Sequence, residues 1–155
     1  MEQRLSRLRN RLDEAGIDAL LVCSPENRRY LSGFTGSSGY LVITREEAVL
    51  FTDFRYMEQA GTQAPDFRIV KHGSKPFDDI VKLVHELGVQ SLGFEQDQVT
   101  FSTYKQVLDL LEHVQFVPTS GLVERLRRLK DPSEIEIIRE AAKIADATFS
   151  HILHY

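Results

Sequence analysis

Apolar positions along this chain alternate between helical spacing and short continuous runs. Leu5, Leu8, Leu12 and Ala15 share one helix face, and Gly16 follows where a C-cap glycine is expected. Residues 19–23 form an apolar run that predicts a buried strand. Ser24 and Pro25 then suit the N-cap and first position of a helix. Residues 40–43 and 48–51, separated by 44–47, predict an antiparallel hairpin. Beyond Asp53 a short helix is expected to about Gln63, because Pro65 forbids its continuation.

The second half repeats the pattern. Residues 67–70, 91–94 and 114–117 predict strands, the last stopped at Pro118. Between them, Phe77, Ile80, Val81, Val84 and Leu87 form one helical stripe closed by Gly88; Phe101, Tyr104, Val107, Leu108 and Leu111 form another. The result is an α/β domain: a mixed β-sheet of about six strands with helices for both faces. Residues 122–129 predict a short amphipathic helix ending in Arg125, Arg127, Arg128 and Lys130, most simply a solvated face. Asp131, Pro132 and Glu134 open a fresh helix, which places a domain boundary between residues 1–130 and 131–155. Its stripe of Ile135, Ile138, Ala142, Ala145, Phe149 and Ile152 has heptad-like spacing, and a self-associating tail is expected from it.

Composition narrows the classes. Twenty-three acidic against 19 basic residues give a net charge of −4, which argues against a nucleic-acid binder or an anionic-membrane sensor. No apolar run approaches a membrane span, and the N-terminus leads into a charged helical pattern, so a soluble cytoplasmic protein is expected. A single cysteine, Cys23, excludes an intramolecular disulfide, and its apolar run predicts an inert thiol.

The glycines at 33, 36 and 39 match neither the dinucleotide fingerprint nor the phosphate loop, and they precede a strand instead of following one. Two readings stay open: a flexible connector, or a loop that approaches a ligand through backbone and small hydroxyls. Asp53 suits a cap, while Arg55 and Tyr56 are compatible with surface or site. His151 and His154 share a helix face but read better as a frayed turn than as metal ligands. Nothing in these residues by themselves builds an active site.

Three segments together carry a resemblance. Asn27-Arg28-Arg29-Tyr30-Leu31-Ser32-Gly33-Phe34-Thr35-Gly36-Ser37 resembles the pattern N-x-x-Y-L-T/S-G-F-T-G-S. Thr52-Asp53-Phe54-Arg55-Tyr56 through Gln59-Ala60 is similar to T-D-x-R-Y-x-x-Q-A, and Arg127 through Ile135 to the R-x-x-K-x-x-x-E-I entry of a catalytic domain. In this order they resemble the creatinase/prolidase/Xaa-Pro aminopeptidase family. That resemblance implies an N-terminal domain followed by a "pita-bread" catalytic domain holding two metal ions, manganese or cobalt, on two Asp, one His and two Glu. None of those ligands maps onto this chain, whose residues 131–155 resemble the first catalytic-domain helix, so the chain alone is expected to be inactive.

The resemblance also implies partners: the chain's own catalytic domain, a second subunit, and an X-Pro peptide as substrate. In relatives the loop before the hairpin reaches the neighbouring subunit's active site, which makes Phe34, Thr35, Gly36, Ser37, Ser38, Arg55 and Tyr56 substrate-proximal candidates. Creatinase has charged residues in this loop, whereas Gly36-Ser37-Ser38-Gly39 is uncharged, which favours a peptide over creatine. The alternative is an interaction or chaperone module, as in relatives without metal ligands.

Overall fold

The computed structural model describes residues 2–153. The first half runs α1 (Glu2–Ala15), β1 (Ala19–Val22), α2 (Pro25–Ser32), β2 (Tyr40–Thr44), β3 (Ala48–Thr52), a 3-10 turn (Phe54–Tyr56) and α3 (Met57–Gln63). The second half runs β4 (Arg68–Lys71), α4 (Pro76–Glu86), β5 (Ser91–Glu95), α5 (Phe101–Leu110), β6 (Gln115–Thr119), α6 (Leu122–Arg128) and α7 (Pro132–Ile152).

The strands form one six-stranded sheet in the order β4-β3-β2-β1-β5-β6. The short turn after Thr44 makes β2 and β3 antiparallel, and β1 also pairs antiparallel with β2. The β1–β5, β3–β4 and β5–β6 pairs are parallel. The mixed sheet predicted from the hairpin is therefore present.

Alternate residues of β1 serve opposite faces. Leu20 and Val22 join Leu5, Leu8 and Leu12 of α1 and Val123 and Leu126 of α6 in one core. Ala19 and Leu21 join Phe77, Ile80 and Val84 of α4 and Val107 of α5 in the other. Every β1 side chain is buried, so the continuous apolar run, rather than an alternating one, is what a central strand with two covered faces needs. Each large side chain so buried contributes roughly 1.5–3 kcal/mol.

Three local expectations change. β6 continues through Pro118, which stands opposite Phe94. An edge strand tolerates proline because one side of its ladder needs no donor. Phe101 and Leu108 were expected on the buried stripe of α5 but are exposed, leaving Val107 as the buried anchor of that helix. The basic end of α6 is not wholly solvated: Arg127 is half-buried and donates to Asn27.

α7 begins on a full capping box. Asp131 accepts from Glu134 N–H, and the Glu134 side chain accepts from Asp131 N–H. Arg4 of α1 ties this start to the sheet domain, donating to Asp131 at 2.5 Å and to the Tyr30 carbonyl at 2.8 Å. Past that point α7 has no buried residue, and in the single chain its stripe is uncovered, Ile138 being 52% and Phe149 65% exposed. His154 and Tyr155, including the His154 half of the histidine pair, lie outside the described residues.

The Ser133 hydroxyl, the Arg4 guanidinium and the Glu134 N–H hold the Asp131 carboxyl well below the usual carboxylate range. A carboxyl depressed in the folded state stabilises above its unfolded value, ~3.9, and loses that contribution as pH falls through the folded one. NMR shifts of residues 132–136 should therefore report an intact first turn down to about pH 4, with fraying only at lower pH. Asp131→Ala should fray already at neutral pH, and the difference from wild type should close in acid. A wild-type transition centred above pH ~4.5 would contradict this assignment.

Candidate functional site

The site is built outward from the start of α2. Ser24 holds an extended conformation, and its hydroxyl accepts from Asn27 N–H at 3.2 Å. Glu95, at the end of β5, lies beneath. One carboxylate oxygen accepts from Cys23 N–H and Ser24 N–H, both at 2.7 Å, and the other from the Asn27 amide at 2.6 Å. Asn27 also donates to Glu124 at 2.5 Å, and its carbonyl accepts from Arg127 at 2.8 Å. Burial pushes the Glu95 carboxyl up, and donation from Asn27, Ser24 and Cys23 pulls it back in part. Burial, then the Glu95 charge, pushes the Cys23 thiol up to about 12, so it is a poor nucleophile, as its apolar run predicts.

α2 ends at Gly33, whose left-handed conformation (φ 79°) lets its N–H bond the Arg29 carbonyl and turns the chain into the glycine loop. Arg28, 3% exposed, projects under that loop and donates to the Gly36 and Gly39 carbonyls, each at 2.6 Å. Gly36 lies against the Phe34 ring so closely that a Cβ there would sit 2.2 Å from Phe34 Cζ. Thr52 of β3 donates to the Ser38 carbonyl at 2.7 Å. Thr35 N–H donates to Gln63 of α3 at 2.9 Å, and Gln59 donates to the Thr35 hydroxyl at 3.0 Å. The loop before the hairpin is thus held from three sides, by Arg28 of α2, Thr52 of β3 and Gln59 and Gln63 of α3.

The 3-10 turn joins the same edge. Asp53 caps it, accepting from Arg55 N–H, and also takes a fork from the Arg55 guanidinium at 3.0 and 2.7 Å. That guanidinium holds the Asp53 carboxyl well below the usual range, and Asp53 in turn raises Arg55. Tyr56 hydroxyl and Ser37 hydroxyl share a hydrogen bond at 2.7 Å. The Tyr56 ring meets Phe34 edge-on at 6.0 Å and has the Arg55 guanidinium 5.3 Å from its centre.

The candidates thus gather at one edge, with unequal access. Thr35, Ser37 and Arg55 are exposed, Ser38 and Tyr56 are half-buried, and Gly36 is buried. Phe34 is fully buried in the core, so it supports the loop from below, and its ring also borders the groove beside the loop. Arg28, Gln59, Gln63 and Thr52 were not picked out by sequence. Thr52 and Gln59 do stand at matched positions of the T-D-x-R-Y-x-x-Q-A pattern, whereas Arg28 and Gln63 show only the polarity that ordinary surface residues share.

A loop of small residues carried on a mixed α/β sheet, with a charged turn beside it, is the arrangement that can be compared with known proteins. Residues 4–129 match the model of the Creatinase/Prolidase N-terminal domain, and the chain belongs to that family. It is similar to the uncharacterized peptidase YqhT of Bacillus subtilis (strain 168), 43% identical over 152 residues, which cover 98% of this chain and 43% of that protein. Among solved structures, an Xaa-Pro dipeptidase from Bacillus anthracis is 49% identical with a TM-score of 0.95, over 98% of this chain and 42% of that one. The N-terminal domain of the cytoplasmic peptidase PepQ from Mycobacterium tuberculosis H37Rv is 36% identical with a TM-score of 0.76, over 80% of this chain and 98% of that one. The chain spans less than half the length of the curated relatives it matches. It corresponds to the N-terminal domain of proteins of the Xaa-Pro peptidase family.

With its thiol raised to about 12, Cys23 should resist iodoacetamide at pH 8. Alkylation of the folded chain should be slower than in denaturant by roughly a hundredfold or more, since the unfolded thiol returns to ~8.5. Comparable rates, followed by mass spectrometry, would contradict the packing of the Cys23 side chain against the core that contains Leu21.

Proposed function

We propose that this chain is the non-catalytic N-terminal domain of a metal-dependent Xaa-Pro peptidase, a dipeptidase or aminopeptidase of the cytoplasm. In this reading residues 1–130 form the supporting domain and residues 131–155 open the catalytic domain, against which the apolar stripe of α7 packs. The domain contributes to dimerisation, and its loop, Thr35 to Ser38, together with Arg55 and Tyr56, completes the substrate pocket. Similar proteins named as Xaa-Pro dipeptidases and aminopeptidases favour this reading over an interaction module.

The family resemblance implies two divalent metal ions, manganese or cobalt. Among the described residues no group of three or more His, Cys, Asp or Glu side chains could hold a metal ion. The residues present here do not fit such a pair, and its ligands belong to the catalytic domain in this reading. Among the described residues no helix is long and apolar enough to cross a membrane.

The observation that carries the reading is the edge itself, where an ordered loop with exposed hydroxyls stands beside a guanidinium already oriented by Asp53. The Asp53 fork engages Nε and Nη2, so the Nη1 side of Arg55 is the part suited to a peptide carboxylate. The test is kinetic, in the protein that carries both domains. Arg55→Ala should lower kcat/KM on an X-Pro peptide by roughly 10–100-fold, the loss of one charge-assisted contact, with little change in melting temperature. Unchanged kcat/KM with a lowered melting temperature would make Arg55 structural and remove this edge from the pocket.

A further inference from the structure

We infer that Arg28 is a positioning residue for substrate recognition: a buried cation that sets where the loop holds Thr35 and Ser37. The inference rests on the reading that this loop borders the substrate pocket. Arg28 sits one residue after Asn27, so the anchored start of α2 determines where its guanidinium lies. Among the described residues no carboxylate forms an ion pair with it, and its Nε is buried without a partner. A buried charge is costly unless something replaces its hydration. Here the Gly36 and Gly39 carbonyl dipoles do so, at 2.6 Å each, with the Phe34 ring 5.6 Å from the guanidinium carbon.

This makes the loop position harder to vary than two ordinary hydrogen bonds would. If the 36–39 segment lifts, it strands a cation in the core as well as exposing two carbonyls. The glycines let the clamp close. A Cβ at Gly39 would sit 3.0 Å from the Phe51 carbonyl oxygen and 3.4 Å from Arg28 Cδ. A groove of about 390 Å³, lined by Arg28, Arg29, Thr35, Gly36 and Ser37, runs along the outer side. The loop's exposed face is thereby set by a residue that is itself only 3% exposed.

The fork matters as much as the charge. Arginine presents several donors in a planar array that spans two carbonyls, and an ammonium group presents one compact centre. Arg28→Lys should therefore keep the charge and lose the span, whereas Arg28→Met removes both while filling similar space.

The test has two readouts. In the 155-residue chain, amide exchange at Phe34 and Thr35, whose N–H groups have acceptors in Ser32 and Gln63, should rise about tenfold or more in Arg28→Met, and also in Arg28→Lys, while α4 and α5 stay protected. In the two-domain protein the same variants should raise KM for an X-Pro peptide about fivefold or more, with kcat within about twofold, because the chemistry lies elsewhere. If Arg28→Met fails to fold, shown by lost amide dispersion, Arg28→Lys carries both readouts. Unchanged exchange at Phe34 and Thr35 would overturn the role of Arg28, whatever the kinetics. Raised exchange with unchanged KM would overturn its role in recognition. Only if Arg55→Ala were also silent would the placing of this edge at the pocket fall with it.

Discussion

A carboxylate buried at the junction of β1, α2, β5 and α6 is the constraint on which the rest of this domain depends. Glu95 is 7% exposed, and its oxygens are met by two backbone N–H groups and the Asn27 amide. Those N–H groups stand at the start of a helix, where unpaired donors and the helix dipole favour negative charge. An eight-residue helix has little intrinsic stability, so α2 is held by what grips its ends. Glu95 and Ser24 grip one end, and Gly33 closes the other.

From that anchored helix, successive residues reach in different directions. Asn27 accepts from Arg127 of α6, Arg28 enters the glycine loop, and Tyr30 receives Arg4, whose guanidinium stacks 4.2 Å from the ring centre and also meets Asp131. The start of α7 and the loop edge are thus both referred to α2. The proposed supporting role would need such anchoring, since a loop held loosely contributes little to recognition. The sheet supplies the platform, and the polar residues of α2 decide where the loop edge points.

Much of this fold is legible in the sequence because its signals are local. Stripes such as Leu5, Leu8 and Leu12, caps such as Ser24 and Asp131, and the 40–51 hairpin each depend on neighbouring residues and came out as expected. Strand order does not: β5 lies beside β1 because of contacts more than 70 residues apart, which periodicity cannot encode. For the same reason Pro118 looked like a stop, although it sits on an edge strand. The site is less legible than the fold. Arg28 and Glu95 have the composition of surface residues, and their burial arises only when carbonyls and N–H groups from distant segments converge on them. Phe34 has a core role that its place in a glycine-rich stretch does not signal.

The most direct measurement is amide hydrogen exchange of the intact chain and of Glu95→Ala. Removing the carboxylate leaves the buried Ser24 N–H and the half-buried Cys23 N–H without acceptors, at a cost of roughly 1–3 kcal/mol for the buried one. If the anchor sets both α2 and what it carries, exchange should rise together across residues 23–33 and the 34–39 loop, while α4 and α5 on the opposite face keep their protection. A variant in which residues 23–28 exchange freely while residues 34–39 remain as protected as in wild type would contradict the dependence of the loop on this buried contact.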